Sequence, residues 1–322
     1  MPRKPPVAPI RAFELIKPGF LTTLQDLGRP GFQRFGVSPA GAMDNLALRV
    51  ANRLVGNADG CAALEITVQG PDLTVLHDCL VAMTGGNLSP SLESEPVPLW
   101  RSVRLNKGQV LSFGERISGA RSYLSIAGGF AIPEVLGSRS TDLQAQFGGL
   151  EGRRLLRGDI LFQNGPGRPS KRLRGVVPDI LNCYSDPFYL GVLEGPQAHL
   201  VSSASMQQFL ASEYVVTPAS NRVGYRLQGP PISAVQSEII SDAVPLGAIQ
   251  LLPNGQPVLL MADRQTVGGY PKIATLISAD IPKAAQLAIG DRAQFRTVTL
   301  DEAQDLLSAQ ERIIENSVVD VD

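Results

Sequence analysis

Near the C-terminus two apolar runs, 257–262 and 273–277, bracket Asp263-Arg264-Gln265-Thr266-Val267-Gly268-Gly269-Tyr270-Pro271-Lys272. An acid, two bases, an amide, a phenol and paired glycines between strand-like runs is the composition of a functional loop on a rigid β scaffold. In an extended chain Tyr270 and Lys272 point the same way, and Pro271 limits the backbone between them. A lysine beside a phenol in a dry pocket can move protons; spacing does not separate it from a solvated lysine. On this reading Lys272, Tyr270 and Asp263 are the candidate catalytic groups, with Arg264 and Gln265 orienting a small polar substrate.

Three other segments carry chemistry-bearing residues. In Gln25–Asp44, the residues Gln25, Asp26 and Arg29 offer an amide, a carboxylate and a guanidinium to one polar ligand, although an Asp26–Arg29 pair holding its own turn fits equally. Asp44 precedes a helical pattern and reads as its N-cap. In Ser138-Arg139-Ser140-Thr141, the planar fork of Arg139 suits a carboxylate or carboxylated ligand. Glu65, flanked by Leu64 and Ile66, is expected to face solvent from a half-buried strand. In Ser220–Arg226, Arg222 and Arg226 fall on one face of an extended chain and Tyr225 on the other, so the arginines read as an anion contact or as an interdomain ion pair.

Composition excludes several classes. Lys+Arg 29 against Asp+Glu 30 gives no field for nucleic acid. No apolar run is long enough for a membrane span or a signal peptide, so a cytoplasmic protein is expected. Cys61, Cys79 and Cys183 are odd in number and far apart, fitting neither a disulfide framework nor a zinc spacing, and read as buried, reduced thiols. With only His77 and His199, a Ser-His-Asp triad or a His-rich metal site would need one isolated histidine to act, and no metal is expected. The Gly pairs form neither a Walker loop nor a dinucleotide fingerprint, so this chain alone should not bind ATP.

The positioning elements are mostly strands. Thirty-two glycines and 25 prolines punctuate short apolar runs. Glycine turns at Gly108, Gly158 and Gly290 lead into strand-like Val110–Phe113, Ile160–Phe162 and Ala293–Phe295. Two helices stand out: one after Asp44, stopped by Gly56, and one near the C-terminus, where Thr299 and Glu302 have capping-box spacing. The basic, Gly/Pro-rich stretch containing Arg168, Lys171, Arg172 and Arg174 reads as a solvated linker. The expected layout is a disordered tail over 1–12, an N-terminal β domain over 13–165, a linker over 166–180 and a C-terminal β domain over 181–322.

Several longer motifs occur together and in order: LTTLQDLGRPGFQRFGVSPAGAMD from Leu21, ALEIT from Ala63, SGARSYLSIAGG from Ser118, LGSRST from Leu136, NRVGYRL from Asn221 and MADRQTVGGYPKIA from Met261. They resemble the allophanate hydrolase subunit 2 family, also known as the KipA-like family or the C-type subunits of 5-oxoprolinase, from about Phe13 to Arg296. The resemblance implies a mainly β fold of two cyclophilin-like β-barrel domains. It also implies two partners, a B-type 5-oxoprolinase subunit (KipI-like) and a LamB/YcsF-like A-type subunit. Together such chains cleave 5-oxoproline to glutamate, with ATP used by the complex. Under that reading Asp26, Arg29 and Arg139 complete the pocket of the 263–272 loop.

The same domain in urea carboxylase transfers a carboxyl group from carboxybiotin, so biotin enters under an alternative reading, whose biotinyl lysine and carboxylase domains this chain lacks. A third reading is a KipA-like regulator that binds a KipI-like kinase inhibitor. The sequence departs from the family where Gly191 replaces Arg, Glu194 replaces Pro, Asn221 an acid, Val223 a Met and Ala243 a Gly.

Overall fold

Glycine turns set the strand rhythm: Gly108, Gly158 and Gly290 hold φ of 93°, 87° and 89°, a region closed to most side chains, and each delivers the chain into a strand. The computed structural model describes residues 8–165, 172–185 and 188–321. They fall into two compact units. The first comprises 1–28, 45–178 and 316–322, and the second 29–44 and 179–315.

In the first unit a six-stranded antiparallel sheet runs Ile160–Gln163, Ile10–Lys17, Asp72–Val75, Val110–Phe113, Pro90–Leu92, Glu95–Pro96. A seven-stranded sheet runs Leu21–Gln25, Ala63–Thr67, Ser118–Ile126, Cys79–Asn87, Arg101–Leu105, Leu173–Val176, Val318–Val321. Leu24, Leu64, Ile66, Leu124, Ile126, Val81 and Met83 share one face of the second sheet and join Phe13, Leu15, Leu73 and Leu111 of the first in a single apolar core. Removing such side chains from water is the main stabilising term.

The opposite face of the seven-stranded sheet is polar and also buried. Thr23, Glu65, Tyr123 and Thr84 stand in one cross-strand row, and the Thr84 hydroxyl donates to the carbonyl of Ala47 (2.7 Å) in the helix Asn45–Leu54. Glu65 therefore does not face solvent as its flanking residues suggested. It is 1% exposed, accepts from the Tyr123 hydroxyl at 2.6 Å and lies 4.0 Å from the Arg121 guanidinium. A strand covered on both faces has no solvent side for alternation to reveal.

The second unit is a closed seven-stranded barrel in the order Tyr189–Glu194, Lys272–Leu276, Ala248–Leu251, Pro257–Leu260, Gly224–Gln228, Glu213–Val216, Arg292–Thr297. It closes by parallel pairing of Tyr189–Glu194 with Arg292–Thr297. Leu190, Val192, Tyr214, Tyr225, Leu227, Ile249, Leu259 and Phe295 are among the residues of its core, and Phe209 stacks on Phe295 with ring centroids 4.8 Å apart. Closure removes the edge strands that would otherwise need covering. The expected helices form at Asn45–Leu54 in the first unit and Leu300–Glu315 in the second, where the backbone N–H of Glu302 donates to Thr299 Oγ1 at 3.1 Å.

The boundaries differ from the sequence reading in three places. The first strand starts at Ile10, inside the segment taken as a tail, whose residues 1–7 lie outside the described set. Of the expected linker, 166–171 also lie outside it, but Leu173–Val176 is a strand paired with Val318–Val321. Finally, residues 29–44, contiguous in sequence with the first unit, belong to the second.

Candidate functional site

The first unit gathers Gln25, Asp26 and Arg139. A turn at Leu136-Gly137, both with positive φ, presents Ser138 and Ser140 to Asp26, and both hydroxyls donate to its Oδ1 at 2.6 Å. The backbone N–H of Gly28 adds a third donor to Oδ1 (2.8 Å), and that of Arg139 donates to Oδ2 (2.6 Å). Asp26 is 5% exposed and accepts four hydrogen bonds from its own chain, so it ties the Leu21–Gln25 strand to the 138–141 segment. The guanidinium of Arg139 turns away, donating to the carbonyl of Ile132 (2.9 Å) and pairing with Glu134 (2.8 Å). Gln25 is fully buried and its amide donates to Thr23 Oγ1 and to the carbonyl of Thr141. Replacing Asp26 by alanine leaves two hydroxyls and two N–H groups without their acceptor. We expect a loss of about 3 kcal/mol, read as a lower denaturant midpoint.

In the second unit the 29–44 segment forms a loop against the start of the 261–264 stretch. The Arg29 N–H donates to the carbonyl of Pro39 (2.8 Å), and Ala40 and Gly41 take φ of 51° and 92°. The carbonyl of Gly41 thereby accepts from Arg222 Nη2 at 2.6 Å. Arg222 also grips Asp263 through two parallel bonds, Nε to Oδ2 at 2.8 Å and Nη2 to Oδ1 at 2.9 Å. Both partners are nearly inaccessible. Asp263, read from sequence as catalytic, and Arg222, read as substrate-binding, are thus engaged with each other; a bidentate pair of this kind fixes geometry. Tyr225 is part of the core, its hydroxyl 3.5 Å from the carbonyl of Ala285, and Arg226 is exposed whereas Arg222 is buried. Asp44 Oδ2 accepts from Tyr184 (2.8 Å) and Gln286 (2.7 Å).

The rest of the loop gathers cations and amides. Lys272 opens the strand Lys272–Leu276, where a bulge opposite Ile249 and Gln250 breaks the register; bulges commonly re-aim side chains beside sites. Its side chain is 2% exposed, and Nζ donates to Asp242 Oδ2 at 2.8 Å. Asp242, on the short ribbon Asp242–Ala243 paired with Val267–Gly268, is by contrast 52% exposed. The Lys272 hydrogen bond, with the Ala243 N–H, holds the Asp242 carboxyl below the usual carboxylate range. The pair therefore persists above the ordinary carboxylate pKa and opens only as pH falls through that lowered value.

Around it, Gln197 Oε1 accepts from the Lys272 N–H (3.1 Å), and Gln250 accepts from Gln265 (3.3 Å) and donates to the carbonyl of Tyr270 (3.4 Å). A Cβ on Gly268 would lie 2.6 Å from Gln250 Nε2, so glycine is what lets the ribbon approach these amides. The phenol of Tyr270 is half-buried and makes no hydrogen bond among the described residues.

Arg264 is 8% exposed, donating from Nε to the carbonyl of Val244 (3.0 Å) and from Nη1 to that of Met261 (3.4 Å). No carboxylate among the described residues pairs with it, and burial pushes its pKa down to about 10. A buried guanidinium whose contacts are carbonyls is a standing attraction for an anion.

Sequence reasoning named Arg264, Gln265, Tyr270 and Lys272 on this loop but not Asp242, Gln197 and Gln250, which the structure places beside it. Nothing in a local window marks them, since each reaches the loop through barrel pairing or loop return. Among the family departures, Gly191 donates its N–H to Asp280 (2.7 Å) where a Cβ would lie 2.9 Å from Ile277, Asn221 caps an exposed turn, and Ala243 sits on the ribbon beside Asp242. Both histidines are exposed, and no group of three or more metal-ligating side chains occurs among the described residues. Cys79 is buried and its thiol pushed up to about 12 by that burial, while Cys61 and Cys183 are only half-buried; none is in a disulfide.

A barrel unit with a buried lysine and arginine on one loop fits a domain that handles small anionic or carboxylated groups. The profile of the carboxyltransferase domain, subdomain A and B, matches residues 35–297, and the chain belongs to that family. Among its relatives, the C subunit of 5-oxoprolinase from Escherichia coli is 39% identical over 305 residues, covering 94% of this chain and 96% of that protein. The Haemophilus influenzae protein of the same name is 39% identical over 285 residues, covering 88% and 90%. The crystal structure of the K. lactis urea amidolyase matches with a TM-score of 0.86 at 32% identity over 96% of this chain, which spans 20% of that larger protein.

Proposed function

We propose that this chain is the C-type subunit of an ATP-dependent 5-oxoprolinase, acting on a small lactam together with a B-type (KipI-like) partner and a LamB/YcsF-like A-type partner. The observation that carries the reading is the 39% identity to the C subunit of 5-oxoprolinase along nearly the full length of both chains. The 263–272 loop supports it chemically. Lys272 and Arg264 supply positive charge in a nearly dry setting, where it stabilises developing negative charge far better than in water. Gln197, Gln250 and Gln265 offer amide groups to an amide substrate, and Tyr270 keeps a hydroxyl for a proton. ATP would be held by one of the partners, since this chain carries no phosphate-binding loop. No helix among the described residues is long and apolar enough to cross a membrane, and we place the complex in the cytoplasm.

The test is co-purification with the two partners and assay of ATP-dependent conversion of 5-oxoproline to glutamate. Turnover that needs all three chains is expected; a complete complex with no turnover would sink the reading. The match to urea amidolyase favours a second reading, carboxyl transfer from carboxybiotin to an amide. Capture of the native complex on streptavidin would select it.

A further inference from the structure

The partner of Lys272 is oddly matched to it. A buried ammonium needs a counter-charge at all times, yet the carboxylate that supplies it is half exposed, on a ribbon of two residues per strand. Asp242 is held there by little else: its Oδ1 accepts from the N–H of Ala243, and Gln197 contributes a further hydrogen bond. The chain around the ribbon leaves Val235 84%, Ile240 95% and Val267 57% exposed, so few packing contacts resist its movement. The same stretch supplies the Val244 carbonyl that Arg264 holds. The two buried cations of the loop are thus both capped by residues 242–244, one through a carboxylate and one through a carbonyl oxygen.

We propose that Asp242 is a specificity-determining residue that keeps, on Lys272 Nζ, the position taken by a substrate carboxylate or by a carboxyl group in transfer. Binding exchanges one carboxylate for another on the same ammonium, so the lysine is never left uncompensated. A ligand without a carboxylate gains nothing from displacing Asp242 and is rejected. The proposal rests on the assignment of the 263–272 loop as the substrate site, and it makes Lys272 an anion receiver in place of the proton-transfer group suggested by its spacing from Tyr270.

The experiment compares Asp242→Asn with the wild-type full chain, alone and in the three-chain complex. Asparagine keeps the size and removes the charge; because it leaves the buried ammonium without its carboxylate, a lower thermal midpoint is expected, recovered by saturating acetate. Two titrations are run: 5-oxoproline against 2-pyrrolidinone, the same ring without the carboxylate, by calorimetry on the complex; and acetate, followed on the 15Nζ signal of Lys272, on the isolated chain. The variant is expected to bind 5-oxoproline and acetate roughly fivefold more tightly, the factor returned when a competing ion pair of ordinary strength is removed, with 2-pyrrolidinone unchanged. Equal tightening of the lactams, or an acetate response the same as wild type, overturns the proposal. Failure of 5-oxoproline to bind while acetate still titrates Lys272 more readily in the variant overturns the substrate assignment alone.

Discussion

Replacing Asp263 by alanine should destabilise the protein by about 3–5 kcal/mol, which we expect to appear as a large drop in denaturation midpoint and, in many conditions, as failure to accumulate folded chain. Arg222 would then lose its two bonds to Oδ1 and Oδ2 of Asp263, in a pair whose side chains are only 4% and 2% exposed. A carbonyl such as that of Gly41 does not neutralise a guanidinium. The double replacement Arg222→Met with Asp263→Leu should recover much of the loss, since apolar residues of similar size avoid the desolvation of both charges. A single Asp263→Ala chain as stable as wild type would show that the pair is not the clamp its geometry indicates. An activity loss at unchanged stability would return Asp263 to the chemistry.

Lys272→Met should behave in the opposite way. Removing a buried charge whose partner is half exposed leaves Asp242 free to hydrate and fills the space with an apolar chain, so the midpoint should move little. In the assembled complex kcat/KM should fall by about 10²–10³, the scale of losing one preorganised charge in a nearly dry site. Binding to the B-type partner should persist. Retained activity would remove Lys272 from the site, and retained cellular phenotype with intact partner binding would favour a KipA-like regulator over an enzyme.

The mainly β character was legible because glycine turns and short apolar runs are local features: the positive φ of Gly108, Gly158 and Gly290 is a conformation that a missing Cβ makes accessible. The same holds for the two amphipathic helices, where spacing and capping residues act within one or two turns. Glu65 was misread because alternation reports burial only when one sheet face meets water, and both faces of its strand are covered. The partners of Asp26 and Asp263 were not legible for a shared reason. A carboxylate in a polar, glycine-rich loop looks the same whether it meets a ligand or its own chain, and only the donors brought in from Ser138, Ser140 and Arg222 decide which.

The sequence by itself determined the element types, the absence of a nucleic-acid-binding charge balance and the loop from Arg264 to Lys272 as the place where chemistry-bearing residues collect. Tertiary structure decided which of those residues remain available. It sent 29–44 into the second unit, locked Asp263 onto Arg222, and brought Asp242, Gln197 and Gln250 to the Lys272 end of the loop, the first two from sequence separations of 30 and 75 residues and the third through barrel pairing. The reason is physical: a charge acquires its role from what compensates it after burial, and in a barrel that partner comes from a strand or loop that no sequence window contains.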